Sequence, residues 1–298
     1  MKFIILLFLF SNTYAFEYLS ILPKLEKGQK VLTFSSGLYS QEKTYEKDSQ
    51  VIDLTNQEGY LQKFTYQKAH SDRFSYEIEF SVLVAGKYNE TYSGDLSFID
   101  DKKHSSYGLR EPLFKSYYWL ESPKANFNHI LFASFRPKLT EPKAHEFYSG
   151  RNEITLSYLY IYQDKHFEVS GELFSTLYGK KEIVLDSGAE DTIESFTEVG
   201  LKFNPGIILD NFSIHILSTY SSMTDYNTAN KDFQRSSDKG YAVEIGVRTN
   251  WKYSKNKGLT FSYLERETYF NSIEEDITRN IEYEDDSEEY MLSWWILL

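Results

Sequence analysis

Along residues 74–84 the side chains alternate with a period of two: Phe74, Tyr76, Ile78, Phe80, Val82 and Val84 fall on one side, and Ser75, Glu77, Glu79, Ser81 and Leu83 on the other. A pleated strand sorts its residues this way and a helix does not. The same alternation recurs over residues 154–162, 167–177, 241–251 and 290–298. Across the five segments the apolar side holds 28 residues and no charge, although the chain is 26% charged overall. About seven charges would fall there by chance. A face kept this free of charge touches either a protein core or hydrocarbon, since one Arg or Lys near a bilayer midplane costs about 2 to 4 kcal/mol.

The start of the chain bears on which. Lys2 precedes the apolar run Phe3–Phe10, then Ser11, Asn12 and the small-x-small pattern Thr13-Tyr14-Ala15, the layout of a secretory signal over residues 1–15. Eight apolar residues as a helix cover about 12 Å, too short for a hydrocarbon core of about 30 Å. No later apolar run exceeds Trp294–Leu298, so export without a membrane helix is expected, with residues 16–298 as one domain. The 298 residues contain no cysteine and carry a net charge of -12. A thiolate metal site, a disulfide framework and a cysteine nucleophile are excluded, and nucleic acid is not an expected partner.

Loop lengths separate a membrane barrel from a soluble sandwich. Twelve strands are predicted, at 30–40, 58–68, 73–85, 112–121, 127–136, 152–162, 166–178, 193–203, 208–220, 240–251, 258–270 and 289–298. The connections Ala69–Asp72, Ser122–Asn126, Gln163–Lys165, Asn204–Ile207 and Lys252–Lys257 are short, and those at 41–57, 86–111, 137–151, 179–192, 221–239 and 271–288 are long. Strict alternation of short and long is the signature of a closed antiparallel up-and-down transmembrane β-barrel with short periplasmic turns and long outer loops. An even strand count puts both termini on the periplasmic side. All six prolines fall at strand ends or in connections, where no ladder N–H is lost. The 25 tyrosines suit the two interfacial girdles of such a wall.

The chain thus resembles a bacterial outer-membrane β-barrel protein. Its last strand, Tyr290-Met291-Leu292-Ser293-Trp294-Trp295-Ile296-Leu297-Leu298, resembles the signal through which barrel assembly machinery inserts such proteins, with Leu298 in place of a terminal Phe. Leu22-Pro23-Lys24 with Gly28, and Tyr66 followed by Asp72-Arg73-Phe74-Ser75, are similar to transporters related to the meta-pathway phenol-degradation family. That resemblance implies passage of a small-molecule solute, aromatic ones included, across an outer membrane of lipid and lipopolysaccharide.

On the face opposite the apolar one, Lys63, Thr65, Gln67, Glu77, Glu79, Glu168, Glu172, Glu194, Glu198, Lys202, His215, Glu244, Arg248 and Arg266 are expected to line the lumen. Seven acids against four fixed bases suggest a weak preference for cations, and the same groups could instead form an ion-pair network filling the barrel. Residues 271–290 are strongly acidic, and Glu284, Asp285, Asp286 and Glu288 are candidate divalent-metal ligands or bridges to lipopolysaccharide, although their spacing lacks EF-hand order. His104-Ser105-Ser106-Tyr107-Gly108 is similar to the His-x-Ser-x-Gly stretch of outer-membrane phospholipase A, which would make Ser106 a nucleophile and His104 its base, in a long loop. Three functions follow: a channel without catalysis, an acyl hydrolase, or a closed barrel whose acidic loops bind a partner. No cofactor is expected.

Overall fold

The structure, a computed structural model, describes residues 20–47, 50–93, 99–122, 126–139, 149–184, 190–229, 234–237, 239–274 and 280–298. The expected export signal lies outside them. Every regular element among the described residues is a strand: β1 (Lys30–Lys47), β2 (Gln50–Ser71), β3 (Phe74–Ser93), β4 (Ile99–Leu120), β5 (Phe127–Arg136), β6 (Glu153–Gln163), β7 (Phe167–Tyr178), β8 (Lys181–Val184), β9 (Glu190–Ile193), β10 (Phe196–Leu209), β11 (Phe212–Met223), β12 (Tyr226–Ala229), β13 (Gln234–Ser237), β14 (Gly240–Ser254), β15 (Lys257–Glu274) and β16 (Asn280–Leu297). Twelve of these, β1 to β7, β10, β11 and β14 to β16, form one antiparallel ring in which each strand pairs with its sequence neighbours. β1 and β16 close it, in a register running from Val31↔Leu297 to Lys47↔Ile281.

Burial shows which solvent this ring meets. On β10 the outward residues Val199, Leu201, Phe203, Ile207 and Leu209 are 46 to 60% exposed, whereas inward Glu198 is 1% and Asn204 7% exposed. A soluble sheet hides its apolar face and wets its polar one; here the two are exchanged. The exposed band continues around the wall through Leu156, Leu173, Ile216, Ile245 and Leu292. It is far larger than the few hundred Å2 of apolar patch that soluble monomers show. From Val199 to Leu209 the strand advances about 33 Å, which at the usual barrel tilt of about 40° gives about 25 Å of height, the apolar span of an outer-membrane wall. Aromatic pairs border the band: Tyr241–Tyr269 and Tyr263–Tyr290 at one rim, with centroids 4.9 and 4.6 Å apart, and Trp251–Tyr253 at the other, at 5.7 Å. The faces predicted from alternation are the faces observed.

Several expected boundaries are corrected. The long connections at 41–57, 86–111 and 271–288 are mostly strand, since β1–β2, β3–β4 and β15–β16 continue as hairpins past the apolar band. Past the apolar band the outer face turns polar, so the alternation of polarity fades while the backbone ladder persists. The connections at 179–192 and 221–239 contain the hairpins β8–β9 and β12–β13, and β9 pairs with β12 and β13 with β15. The His104–Gly108 stretch therefore lies on β4 rather than in a loop.

Two prolines also lie inside strands. Pro112 occupies a bulge, because Glu79 pairs with Leu113 and Ser81 with Arg110, leaving two residues of β4 opposite one of β3. That bulge changes which parity of β4 faces inward. Pro205 sits within β10, so Asn204–Ile207 is not a turn and the chain reverses at Asp210-Asn211 instead. Its missing N–H faces β11, where side chains take over the ladder: Asn204 Oδ1 accepts the Ser218 N–H at 3.3 Å, and Ser218 Oγ donates to the Phe203 carbonyl. On the β7 side Pro205 keeps its register with Val169.

Ile216 stands midway along the outward face of β11, 55% exposed between Phe212 and Tyr220. Ile216→Arg is expected to destabilise the barrel in lipid vesicles by about 2 to 4 kcal/mol, and Tyr220→Arg nearer the rim by less. Urea titration of the vesicle-inserted protein measures both, and equal, negligible costs would mean that this face does not meet hydrocarbon.

Candidate functional site

The first described residues do not run along the outside of the wall. Gly28 adopts φ +86°, a left-handed turn that glycine takes without steric cost, and its N–H donates to Ala69 O at 3.0 Å. The preceding segment, Ser20 to Leu25, thereby doubles back into the barrel at the short-turn rim. Ile21 and Leu22 pack against the inward cluster of Tyr117, Trp119, Ile130, Leu159 and Ile161, and Leu25 is 3% exposed. Polar contacts fix its backbone: Ile21 N–H donates to Glu168 Oε1 at 2.9 Å, and Arg248 Nη1 donates to the Ile21 carbonyl at 3.2 Å. Lys24 Nζ lies 5.6 Å from the Trp119 ring centre. Nothing in the sequence reading anticipated this segment, because six residues with a central proline carry no periodic signal.

Above it lies a cavity of about 440 Å3. Ile21, Leu22 and Pro23 form one side, and Lys63, Thr65, Gln67, Glu77, Glu79 and Arg248 of the expected lumen set line it. Apolar side chains complete the wall, among them Val31, Leu217, Leu264, Met291 and Trp295. A volume of this size with mixed lining is in the range of small-molecule sites. Its charges are paired: Lys115 Nζ bridges Glu77 and Glu79, at 2.8 Å to each, and Lys63 Nζ meets Glu289 Oε1 at 2.5 Å.

Most of the other expected lumen residues also find partners, whereas neither ring nitrogen of His215 makes a hydrogen bond among the described residues. Glu168 and His215 are fully buried, 3.2 Å apart, beside Gly206, where a Cβ would come within 2.1 Å of the His215 ring. Gly206 is thus required by the close approach of that imidazole. Glu172 meets Lys202 at 3.2 Å. Glu198 accepts from Tyr178 Oη, Ser221 Oγ and Arg266 Nη2 at 2.7, 2.6 and 2.9 Å, and Glu244 accepts from Thr219 Oγ1 at 2.9 Å. Glu194 departs from the set: it follows β9, is exposed, and stands beyond the wall strands.

Sequence reasoning missed Arg110, Glu111, Lys115, Arg136, Glu153 and Glu289. Glu289, Arg136 and Glu153 share the inward parity of Met291, Ile130 and Ser157, so carrying the alternation one step further would have reached them. Arg110 escapes that rule because the Pro112 bulge reverses the parity of β4. These groups add three bases and three acids, so they supply partners, as Lys115 does for Glu77 and Glu79, without changing the net charge of the interior.

Two further candidate sets are placed. Among the described residues no group of three or more His, Asp or Glu is arranged to hold a metal ion. Strand alternation divides the suggested ligands: Asp285 accepts from Gln41 Nε2 and Tyr283 Oη at 2.8 and 3.0 Å, whereas Glu288, on the opposite parity, accepts from outward Tyr290 Oη at 3.4 Å. His104 pairs in register with Tyr88, their rings 6.3 Å apart; the side chain of Ser106 lies outside the described residues.

No family model matches the chain, and no curated protein does. Among solved structures it is similar to an outer-membrane channel from Pseudomonas putida, at 12% identity and a TM-score of 0.56, covering 92% of this chain and 97% of the other. Weaker likenesses include the outer-membrane protease OmpT of Escherichia coli, at 8% identity, a TM-score of 0.42 and 91% and 97% coverage. A monoaromatic hydrocarbon channel gives 8% identity, 0.45 and 91% of each chain. At 12% identity the first likeness is one of fold: a barrel of the outer-membrane kind.

Asp286 lies on β16 beyond Tyr290, past the edge of the apolar band, in register with Glu42 on one side and Glu267 on the other. Burial first, then Glu284 and Glu267, push its carboxyl up to about 6. The folded hairpin therefore holds this proton more tightly than an unfolded one, and gains stability as pH falls from above 6 toward about 4. Amide exchange in β15–β16, corrected for intrinsic rate, is expected to slow between pH 7.5 and 5 relative to β6–β7, and Asp286→Asn to abolish that difference. An unchanged slope in the variant would refute the assignment.

Proposed function

We propose that this chain is a channel of the bacterial outer membrane that passes small solutes through its interior, with residues 20–25 as an obstruction inside the lumen. The observation carrying this is the mixed-polarity cavity of about 440 Å3 enclosed by the wall and bounded on one side by that segment. A barrel that served only as an anchor needs no such space, and its interior could close with side chains. The paired charges along the path select by width and local field rather than by a uniform sign. In this reading both termini and the short turns are periplasmic, the hairpins β1–β2, β3–β4 and β15–β16 face lipopolysaccharide, and the last strand is the one that assembly machinery receives.

The obstruction is held far less firmly than the wall. Its backbone has two contacts to wall side chains, Glu168 and Arg248, beside the apolar contacts of Ile21, Leu22 and Leu25 and the Lys24 ammonium over Trp119. A hydrogen bond to a charged group contributes about 1.5 to 3 kcal/mol, so losing one shifts the held and released populations by about tenfold or more. Ile21→Pro removes the donor to Glu168 and leaves every wall residue unchanged. In planar bilayers the wild type is expected to show small, infrequent openings, Ile21→Pro at least several-fold greater open time, and a chain lacking residues 16–25 a steady conductance. A barrel that stays closed in all three forms would remove the channel reading.

A further inference from the structure

At the hairpin rim the interior changes character. Glu111, 3% exposed, accepts the N–H of Ser149 at 2.8 Å and of Gly150 at 3.0 Å, so both of its oxygens are used in drawing that connection inward. Glu153 is contacted by Arg136 Nη1 and by Ser149 Oγ. Around these two carboxylates stand four cations, Arg110, Arg136, Arg151 and Lys181, with Glu79, already bridged by Lys115, also acting on Arg110 and Arg136. Arg151 stacks on both Tyr178 and Phe196, its Cζ 5.2 Å from each ring centre, and those rings stack on one another at 4.6 Å.

The cation excess is accompanied by unmet hydrogen bonding. Arg136 is 7% exposed and its Nε is buried without a hydrogen-bond partner among the described residues; Arg151 Nη1 is buried likewise. A buried guanidinium N–H without an acceptor is costly, and two within one group of like charges are more so. We propose that this group is a binding site for a small organic carboxylate, bridged between Arg136 Nε and Arg151 Nη1, at the outer entrance of the channel. A monoanion fits better than a phosphate dianion, because Glu111 and Glu153 stand close by and repel each added negative charge.

Lys181, on the outer hairpin β8, gives independent support: burial first, then Arg151, Lys43 and Arg110, push its ammonium down to about 7. Those cations outweigh Glu153, the carboxylate that acts on Lys181 in the opposite sense. This inference deepens the channel reading by naming the class of solute. Its test is equilibrium binding, which can fail while conductance succeeds, and the reverse.

The full chain in detergent micelles is titrated calorimetrically with benzoate, neutral benzamide and inorganic phosphate, with folding checked by heat-modifiable gel mobility. Benzoate is expected to bind, benzamide at least tenfold more weakly, and Arg151→Met to weaken benzoate at least tenfold while remaining folded. If Arg151→Met misfolds, Lys181→Gln on the outer hairpin is expected to weaken benzoate several-fold. NMR of the methylated Lys181 amine is expected to show its titration moving upward when benzoate is bound. Equal binding of benzoate and benzamide, unchanged benzoate affinity in the folded variant, or tighter binding of phosphate than of benzoate would each overturn the proposal.

Discussion

Hydrocarbon offers no hydrogen bonds, so a chain crossing it by strands must pair every backbone N–H and C=O with its own wall and leave no edge. That requirement makes β1 and β16 meet in register although they lie at opposite ends of the chain. It also explains why Pro205 is tolerated. The ladder bond that proline cannot donate falls next to Asn204 and Ser218, whose side chains supply replacements, so no carbonyl is abandoned to lipid. The uncharged outer face and the closed ring are two consequences of one solvent.

The same wall forces the opposite problem on the interior. Alternation sends every second residue inward, and a narrow lumen with low effective dielectric makes unpaired charges costly. Near the cavity the solution is pairing across strands, as in Lys115 with Glu77 and Glu79 and Lys63 with Glu289. At the hairpin rim pairing is incomplete, because Glu111 is committed to backbone amides and Glu153 is shared. Around Glu153 cations therefore outnumber carboxylates locally. The overall balance of seven acids and four bases is little changed, since that count lacked Glu111, Glu153 and Glu289 as well as Arg110, Lys115 and Arg136.

How much of this was legible follows from which forces write themselves into local sequence. The ring, its twelve members and their faces were legible, because lipid acts on each strand separately and leaves a period-two record, as in Phe167 to Leu177. The hairpin extensions were not, because residues such as Lys43-Thr44-Tyr45 and Asn89-Glu90-Thr91 place polar groups at both parities and leave no period-two record. Lumen positions were legible wherever parity was continuous, and failed at Arg110 because one two-residue bulge at Glu111-Pro112 shifts the count. Glu194 failed for the opposite reason: parity was carried past the end of the strand to which it applied.

The segment from Ser20 to Leu25 is the least legible part, and its physics explains why. A strand in the wall is specified by neighbours on both sides and by lipid, so its sequence is constrained at every second residue. The segment meets only the interior, through Ile21, Leu22 and the buried Leu25, the Lys24 ammonium over Trp119, and two hydrogen bonds to side chains of the wall that use its backbone. Backbone N–H and C=O groups belong to almost any sequence, so the recognition is recorded in the receiving residues, Glu168 and Arg248, rather than in the segment received. Glu168 is held in turn by burial beside His215, which needs the absence of a side chain at Gly206. The wall therefore encodes where the segment rests, and on the channel reading a hold of a few side chains and two hydrogen bonds, set against a continuous ladder, makes it the part to leave while the barrel stays intact.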